Sequence, residues 1–462
     1  MATEIREIRD ALPIEALLDH IGACARDAGV EAYLVGGFVR DRLLGRPLGK
    51  DIDVVVVGSV GTPLLERVAR RPGWSRPAIF ERFGTGMTQG EGYVVEVVQA
   101  RAERYDPESR KPDVRPGTLE EDIRRRDFTI NALAQSFSGQ VLDLTGQGVA
   151  DLHTGILRTP LDPAETFSED PLRMFRAARF VSQLGFHLAD GMIAAIRCGA
   201  HRAGILSAER VRDELCRLLL GTHPRDGLNV LREGGLLTLA LPELEPMIGV
   251  EQGGWHVHDV WEHTLHAVEL APPNLRTRVA ALFHDVGKPA THAITEDGKH
   301  TFYDHANVGA GIAETVLQRL RFSNEEVAAV AQLVRLHLRP IQYDPSTHSD
   351  SAVRRLIRDA GPLRRELLDL ARADTGASAY PTTATLDEME GRMAALDAGG
   401  AVVRLRPPLD GHRLQAITGR RPGPWIGAVQ RALVDAILDG EFAADDTAAA
   451  ETWLADHPGL LS

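Results

Sequence analysis

Residues 51–57 read DIDVVVV, a β-branched run that belongs in a strand and carries two carboxylates one residue apart. Side chains alternate faces along a strand, so Asp51 and Asp53 leave the sheet on the same side. Two carboxylates on one rigid face suit a divalent ion. Magnesium fits best, because it needs few protein ligands when substrate phosphates complete its shell. Just upstream, the apolar run Tyr33–Val35 ends in Gly36-Gly37 and passes into a helical stretch from Phe38 to Leu44. Backbone N–H groups at a helix start receive phosphate, and glycine lets the chain approach it closely; the same residues also suit an ordinary strand-to-helix turn. A further strand is expected over GYVVEVVQA at 92–100, with Glu96 as a third acid in an otherwise buried segment. A buried carboxylate calls for a metal or a basic partner. The plainer alternative is that DID only ends a strand and Glu96 sits on a solvated edge.

Between Arg101 and Arg126 the chain is rich in Arg, Pro, Asp and Glu and reads as a long loop. From Asp170 to about Leu241 apolar residues recur at helical spacing, as in LRMFRAARFVSQLGF and ERVRDELCRLLLG. Helical patterns then continue to the end, and ten of the seventeen histidines fall between residues 255 and 375. The expected fold class is α+β, a small mixed-sheet head followed by all-helical parts, and 462 residues leave room for two to four domains. Expected boundaries are 1–155, 156–250, 251–378 and 379–462. No apolar stretch reaches the ~18 residues of a membrane span, and the first twenty residues are acidic and amphipathic. No membrane association is expected, and the cytoplasm is the expected location. Cys24, Cys198 and Cys216 form no CxxC pair and read as buried free thiols.

The net charge of −13 argues against indiscriminate nucleic-acid binding. The charges are segregated, however. Residues 173–232 hold ten Arg against five acids, while 430–462 hold one Arg against seven. A polyanion therefore has a place along the middle of the chain.

Further motifs carry chemistry. RRRDFTINAL at 124–133 sets Arg125, Arg126, Asp127 and Asn131 close together; clustered Arg suits a triphosphate, and Asp and Asn suit ribose hydroxyls. An Arg-rich helix start would look the same. In SEDPLRMFRAARF, Glu169 and Asp170 precede Pro171, and Arg173 follows at ion-pair spacing from Glu169, which suits helix capping as well as ligand binding. Arg176 and Arg179, one and two turns on, point toward triphosphate or RNA or lie on a solvated face. His263, His284-Asp285, His305, His337 and Asp374 combine imidazole with carboxylate, a set that favours a transition metal over magnesium. In DGHRLQAITGRRPGPWIG, Arg413, Arg420 and Arg421 are basic and the PGPWIG turn before a helix is a place for phosphate, or the stretch is a plain helix-turn-helix in a structural tail.

Taken together, LVGGFVRD, DIDVV, RRRDFTINAL and EDPLRMFRAARF, in this order and spacing over most of the chain, resemble the bacterial-type (class II) tRNA nucleotidyltransferase and poly(A) polymerase family of polymerase β-like enzymes. The resemblance implies a nucleotidyltransferase head, a nucleotide-selecting, RNA-binding neck, an HD domain and a tRNA-binding tail. It implies transfer of CMP and AMP from CTP and ATP to a tRNA 3′ end with release of pyrophosphate, so tRNA, CTP and ATP are the expected partners. Asp51 and Asp53 would hold Mg2+, with Glu96 a third acid or a structural support. Gly36, Gly37, Arg40, Arg125, Arg126, Asp127, Asn131, Arg176 and Arg179 would surround the nucleotide. Asp170 and Arg173 would read C or A by a Watson–Crick-like edge, with Glu169 orienting the Arg.

The His series resembles an HD phosphohydrolase, in which His263, His284, Asp285 and Asp374 bind Ni2+, Mn2+ or Co2+. His305 and His337 would complete a second position, and Lys288 would meet substrate phosphate. The tail resembles the segment that supports the tRNA elbow. CCA addition is the expected function, with an A-adding or CC-adding specialist as alternatives. A loop of ordinary length with Arg110-Lys111-Pro112 disfavours the CC-only enzyme, and the His series disfavours poly(A) polymerase. From another class, an HD phosphohydrolase acting on nucleotides or RNA 3′ ends would keep the head only as a recruiting remnant, against which the intact DID and RRDFTIN strings speak.

Overall fold

The computed structural model describes residues 14–58, 61–80, 84–104, 113–253, 258–379, 382–398, 402 and 405–461. The chain forms two compact units, one from Met1–Glu214 with Asp226–Leu239, the other from Leu215–Arg225 with Ala240–Ser462.

The first unit opens with Ile14–Ala28 (α1), Glu31–Val35 (β1), Gly37–Leu43 (α2), Asp51–Val57 (β2) and Thr62–Val68 (α3). Ala78–Phe80 (β3), Thr85–Gly90 (β4) and Tyr93–Gln99 (β5) follow, then Arg101–Arg104 (β6), Asp113–Pro116 (β7), Leu119–Arg124 (α4), Ala134–Gln135 (β8) and Val141–Leu142 (β9). Seven of these strands make one mixed sheet in the order β3-β4-β5-β2-β1-β8-β9, with β6 and β7 paired apart. The valine run is central because it is covered on both sides: β2 runs antiparallel to β1 and parallel to β5. On one face α3 packs closely, and a Cβ on Gly86 would stand 2.6 Å from Leu65 Cδ1. On the other, Val55 gathers with Val35, Ala100, Ile123 of α4, Ala132 and Ala134.

Residues 101–104 and 113–126 are not part of the long loop that the composition of 101–126 suggests. Charged residues pair as strands β6 and β7 with no apolar alternation to announce them, and a capping box between Thr118 and Glu121 starts α4. The TLEE string carried that signal. Arg110, Lys111 and Pro112 lie outside the described residues.

The unit continues through Gly148–Thr154 (α5), Ile156–Leu157 (β10), Pro163–Glu169 (α6), Leu172–Leu184 (α7), His187–Leu188 (β11) and Met192–Gly199 (α8). Next come Ala208–Leu219 (α9), Pro224–Glu233 (α10) and Leu237–Ala240 (α11), each divided between the two units. Helix α7 is buried along most of its length.

The second unit holds Val260–Leu270 (α12), Leu275–Phe283 (α13), Lys288–Thr291 (α14), the hairpin His292–Ile294 (β12) and His300–Phe302 (β13), His305–Arg319 (α15) and Asn324–Leu336 (α16). Leu338–Ile341 (α17), Asp350–Ala360 (α18) and Arg364–Gly376 (α19) complete the His-bearing bundle. Ala384–Leu396 (α20), Gly411–Thr418 (α21), Trp425–Asp439 (α22) and Thr447–Ala455 (α23) form the tail, whose own small core includes Leu414, Val429, Leu433 and Leu454. The three-residue strands β12 and β13 interrupt a stretch expected to be wholly helical. Among the described residues no helix is long and apolar enough to cross a membrane. Of the cysteines only Cys24 is buried. Cys198 is exposed because it falls off the buried Met192 and Ile196 stripe of α8, and Cys216 is half-buried.

Candidate active sites

In the head, parallel pairing of β2 with β5 sets Asp53 directly opposite Glu96, with Asp51 two residues before it on the same face. Glu96 is exposed, as the plainer of the two readings had it, though on a face of the inner strand β5 and not at an edge, because Val95 and Val97 take the inward face. Partial burial raises the pKa of Asp53, the Asp51 charge adds to this, and Arg126 opposes it. Glu96 is raised by loss of water and by the Asp53 and Asp51 charges. Three mutually repelling carboxylates on one face fit a hard divalent ion. The antiparallel β1–β2 pair brings the Gly36 turn to the same place. Gly36 has φ +74°, and a Cβ there would lie 3.1 Å from Asp53 Oδ2 and 3.6 Å from Arg126 Nη1, so both conformation and space require glycine. Gly37 opens α2.

Arg125 and Arg126 close α4 instead of starting a helix, and both bind the buried Asp122, at 2.5 Å and 3.0 Å. Burial would raise Asp122, but the two guanidinium charges hold it below the usual range. Asp127 and Asn131 are committed to protein partners. The Asp127 carboxylate accepts from Phe128 N (2.8 Å), Asn131 Nδ2 (3.1 Å) and Arg176 Nε (2.8 Å), and Asn131 Oδ1 accepts from Arg40 Nη1 (2.9 Å). Arg179 is not on a solvated face; it is buried and paired with Glu214 at 2.5 Å. The ring of Phe180 lies 4.0–5.5 Å from the guanidinium carbons of Arg40, Arg176 and Arg179.

Arg173 is equally fixed. It donates to Glu169 Oε2 (2.8 Å), to Thr166 O (3.2 Å) and to Arg125 O (2.7 Å). Asp170 accepts from Leu172 N (3.0 Å), the first residue of α7, and from Arg210 (3.2 Å), and it stays half-exposed. Sequence reasoning passed over Asp122, Phe180 and Glu214. For Glu214 a signal existed: it stands among Val211, Leu215 and Leu218 on the buried stripe of an amphipathic helix.

The second unit gathers four buried imidazoles and two carboxylates. His263 Nε2 is 3.0 Å from Asp374 Oδ1 and 3.3 Å from His284 Nε2. Asp285 spans the cluster, with Oδ2 3.2 Å from His284 Nε2 and Oδ1 3.4 Å from His305 Nε2, while His305 and His337 meet at 3.4 Å. Two triads result, His263–His284–Asp374 and Asp285–His305–His337. Each ring is fixed from behind, Nδ1 facing a backbone carbonyl: Ala377, Ala281, Phe302 and Val334 for His263, His284, His305 and His337. Donation from Nδ1 leaves the Nε2 lone pairs turned inward, a set that fits transition metals.

Burial alone would lower His284, but Asp285 and Asp374 raise it to about 9. Burial and the neighbouring His284 charge lower His337 to about 4. Burial would raise Asp285, yet His284 and Lys288 hold it well below the usual range. Lys288 Nζ donates to Asp285 Oδ2 (2.7 Å) and to Gln252 Oε1 (2.5 Å), the second a residue the sequence did not single out. A cavity of about 420 Å³ opens onto Asp285, Lys288, His337 and Asp374, with Thr375 and Leu386 on its wall.

Comparison with known proteins follows the same order along the chain. Residues 32–158 match the poly(A) polymerase head domain, 185–248 the probable RNA- and SrmB-binding site of polymerase A, and 256–375 the HD domain. The chain is 38% identical to the A-adding tRNA nucleotidyltransferase of Deinococcus radiodurans, over 74% of this chain and 81% of that protein. It belongs to the tRNA nucleotidyltransferase family. A second relative in the family, the CC-adding tRNA nucleotidyltransferase of Thermus thermophilus, is 35% identical over 91% of this chain and 92% of its own. The crystal structure of the Bacillus stearothermophilus CCA-adding enzyme in complex with CTP superposes with a TM-score of 0.70 at 25% identity, covering 96% of this chain and 97% of that one.

In this family member the three tail arginines are exposed, and two have partners within the tail. Arg413 pairs with Glu451 at 2.6 Å, and Arg420 lies 5.0 Å from the Trp425 ring. Trp425 Nε1 donates to the Arg421 carbonyl at 2.9 Å.

Proposed function

We propose that the chain completes tRNA 3′ ends, adding CCA from CTP and ATP with release of pyrophosphate. The observation that carries this reading is the strand register that sets Glu96 beside Asp53, with Asp51 on the same face and the Gly36 turn against Asp53. Asp51 and Asp53 would hold Mg2+, which when bound neutralises triphosphate charge and makes the attacking hydroxyl more acidic. Glu96 stands exposed beside them and orients the 3′-hydroxyl. Arg126 and the Gly36 turn face the triphosphate. The Asp127–Asn131–Arg40 and Arg176–Glu214–Arg179 contacts fix the walls around it.

Base choice falls to Asp170 and Arg173. The Asp170 carboxylate accepts the exocyclic amine that C and A share, whereas U and G would set a carbonyl against it. Glu169, Thr166 and Arg125 hold Arg173 in a single orientation for the neighbouring ring acceptor. The exposed Arg413, Arg420 and Arg421 support the tRNA. These substrates place the enzyme in the cytoplasm, working as head (1–155), neck (156–250), HD domain (251–378) and tail (379–462).

The test is to supply transcripts ending before C, after CC and after CCA with CTP or ATP separately, and to sequence the products. Sequential addition of C, C and A is expected. A second reading, an A-adding specialist, is favoured by the likeness to the Deinococcus protein. It predicts addition of A to CC-ended transcripts only.

The His–Asp cluster we read as a second centre, a phosphohydrolase using Ni2+, Mn2+ or Co2+. The two triads would hold the metal, which when bound supplies an activated water. Lys288 neutralises Asp285 and faces the substrate cavity. Loss of metal-dependent phosphatase activity in His284→Ala, with nucleotide addition intact, is the expected result.

A further inference from the structure

The head's carboxylate face continues beyond the acids. In one row across four strands, Asp53 of β2 is opposite Glu96 of β5, Glu96 is opposite Met87 of β4, and Met87 is opposite Ala78 of β3. Residues two apart share a face, so Phe80 lies on this side as well. The opposite parity is consistent, since Gly86, flanked by Ile79, turns toward Leu65 of α3. Phe80 is 49% exposed and Met87 37% exposed, two large apolar side chains at diagonal positions of the edge strand β3 and its neighbour β4, Phe80 being opposite Thr85. Adjacent exposed apolar groups beside a reactive centre mark a binding surface.

We infer that Phe80 and Met87 form a stacking platform for the 3′-terminal base of the RNA that receives the new nucleotide. The inference rests on the reading above that the head extends an RNA 3′ end. Gly36 and Arg126 lie on the β1 side of Asp53, which leaves the β5 side for the acceptor strand. Strands are ~4.8 Å apart, so a ribose whose 3′-hydroxyl meets Glu96 has its base over β4 and β3. The chemistry matches the task. Aromatic and thioether surfaces stack on any base, and an enzyme that adds C, C and then A must accept a terminal base that changes identity at each step.

The experiment uses the full chain, with a fluorescent purine analogue as the 3′-terminal base of the tRNA and no nucleotide present. Wild type is expected to quench the probe. Phe80→Ala should abolish the quench and raise KM for tRNA by about tenfold, within the range of a lost base–aromatic stack, while KM for CTP stays unchanged. Phe80→Trp should restore both readouts. Because both side chains face solvent, the Phe80→Ala, Met87→Ala double variant should keep the wild-type melting curve. If that double variant retains the wild-type quench and KM for tRNA, or if KM for CTP rises as much as KM for tRNA, the platform is refuted. Failure of wild type to extend any transcript would instead count against the functional reading, and the nucleotide-free quench still tests the platform.

Discussion

The head's three carboxylates stand on an open sheet face, whereas the four imidazoles and two carboxylates of the second unit are buried in a helical bundle at the wall of a cavity. Both sets have the chemistry to hold cations, by different routes. Asp51, Asp53 and Glu96 provide only oxygens from two strands and leave room for substrate phosphates to complete the coordination. In the His–Asp cluster the protein itself holds each ring, pinned through Nδ1 to a carbonyl. The first site should bind its ion together with the nucleotide. The second should keep its ion in the free protein.

The largest expected effects test that separation. Asp53→Asn should cut CTP and ATP incorporation by about a thousandfold, since several kcal/mol of charge stabilisation are lost at ~1.4 kcal/mol per decade, with phosphohydrolysis untouched. Loss of both activities in this one variant would break the comparison. Metal analysis after gel filtration in metal-free buffer sharpens it. Wild type and Asp53→Asn should retain equal transition metal, and His284→Ala should retain little.

Glu169→Gln comes next. It replaces the charged acceptor of Arg173 with a neutral one, and competition between CTP and UTP should show discrimination weakened by roughly tenfold, as for a charge-assisted hydrogen bond worth ~1.5–3 kcal/mol.

In the chelated protein, His284 is held up to about 9 by Asp285 and Asp374 against an ordinary value near ~6.5. A raised folded value contributes stability that is complete below about pH 6.5 and is lost as pH rises through about 9. Thermal melts of metal-free wild type should therefore lose stability relative to His284→Gln across that window. His337, lowered to about 4, acts in the other direction and on the acid side, costing stability as pH falls below about 6.5. A flat difference between wild type and His284→Gln would remove the electrostatic account of the cluster.

The smallest effect is expected at Phe180→Leu, which keeps apolar bulk but removes the ring between Arg40, Arg176 and Arg179. A loss of about 1 kcal/mol is expected in denaturant melts, with Phe180→Tyr close to wild type.

Legibility in the sequence followed the range of each interaction. DID, the Gly36 turn, EDPLR and the His series were readable because their chemistry is set by residue type at short or helical spacing. The exposure of Glu96 was not, because Val95 and Val97 turn inward only once α3 has chosen its face of the sheet. Glu214 and Gln252 were missed because the guanidinium and ammonium groups that explain their burial come from other parts of the chain, whereas Asp122 pairs with Arg125 and Arg126 at i+3 and i+4, a spacing the sequence did show. Strands β6 and β7 escaped because they are rich in charged residues and pair apart from the main sheet.

The parallel pairing of β2 with β5 also bears on how the head is made. Parallel neighbours cannot be joined by a tight turn, and here the connection contains α3, β3 and β4. Glu96 can reach Asp53 only after that whole excursion has closed, a step that costs loop entropy before it returns any contact. During synthesis Asp51 and Asp53 leave the ribosome first and stay apart from the third acid until β5 docks. The nascent head should therefore acquire affinity for nucleotide in one late step, and a chain stopped before residue 93 should have none.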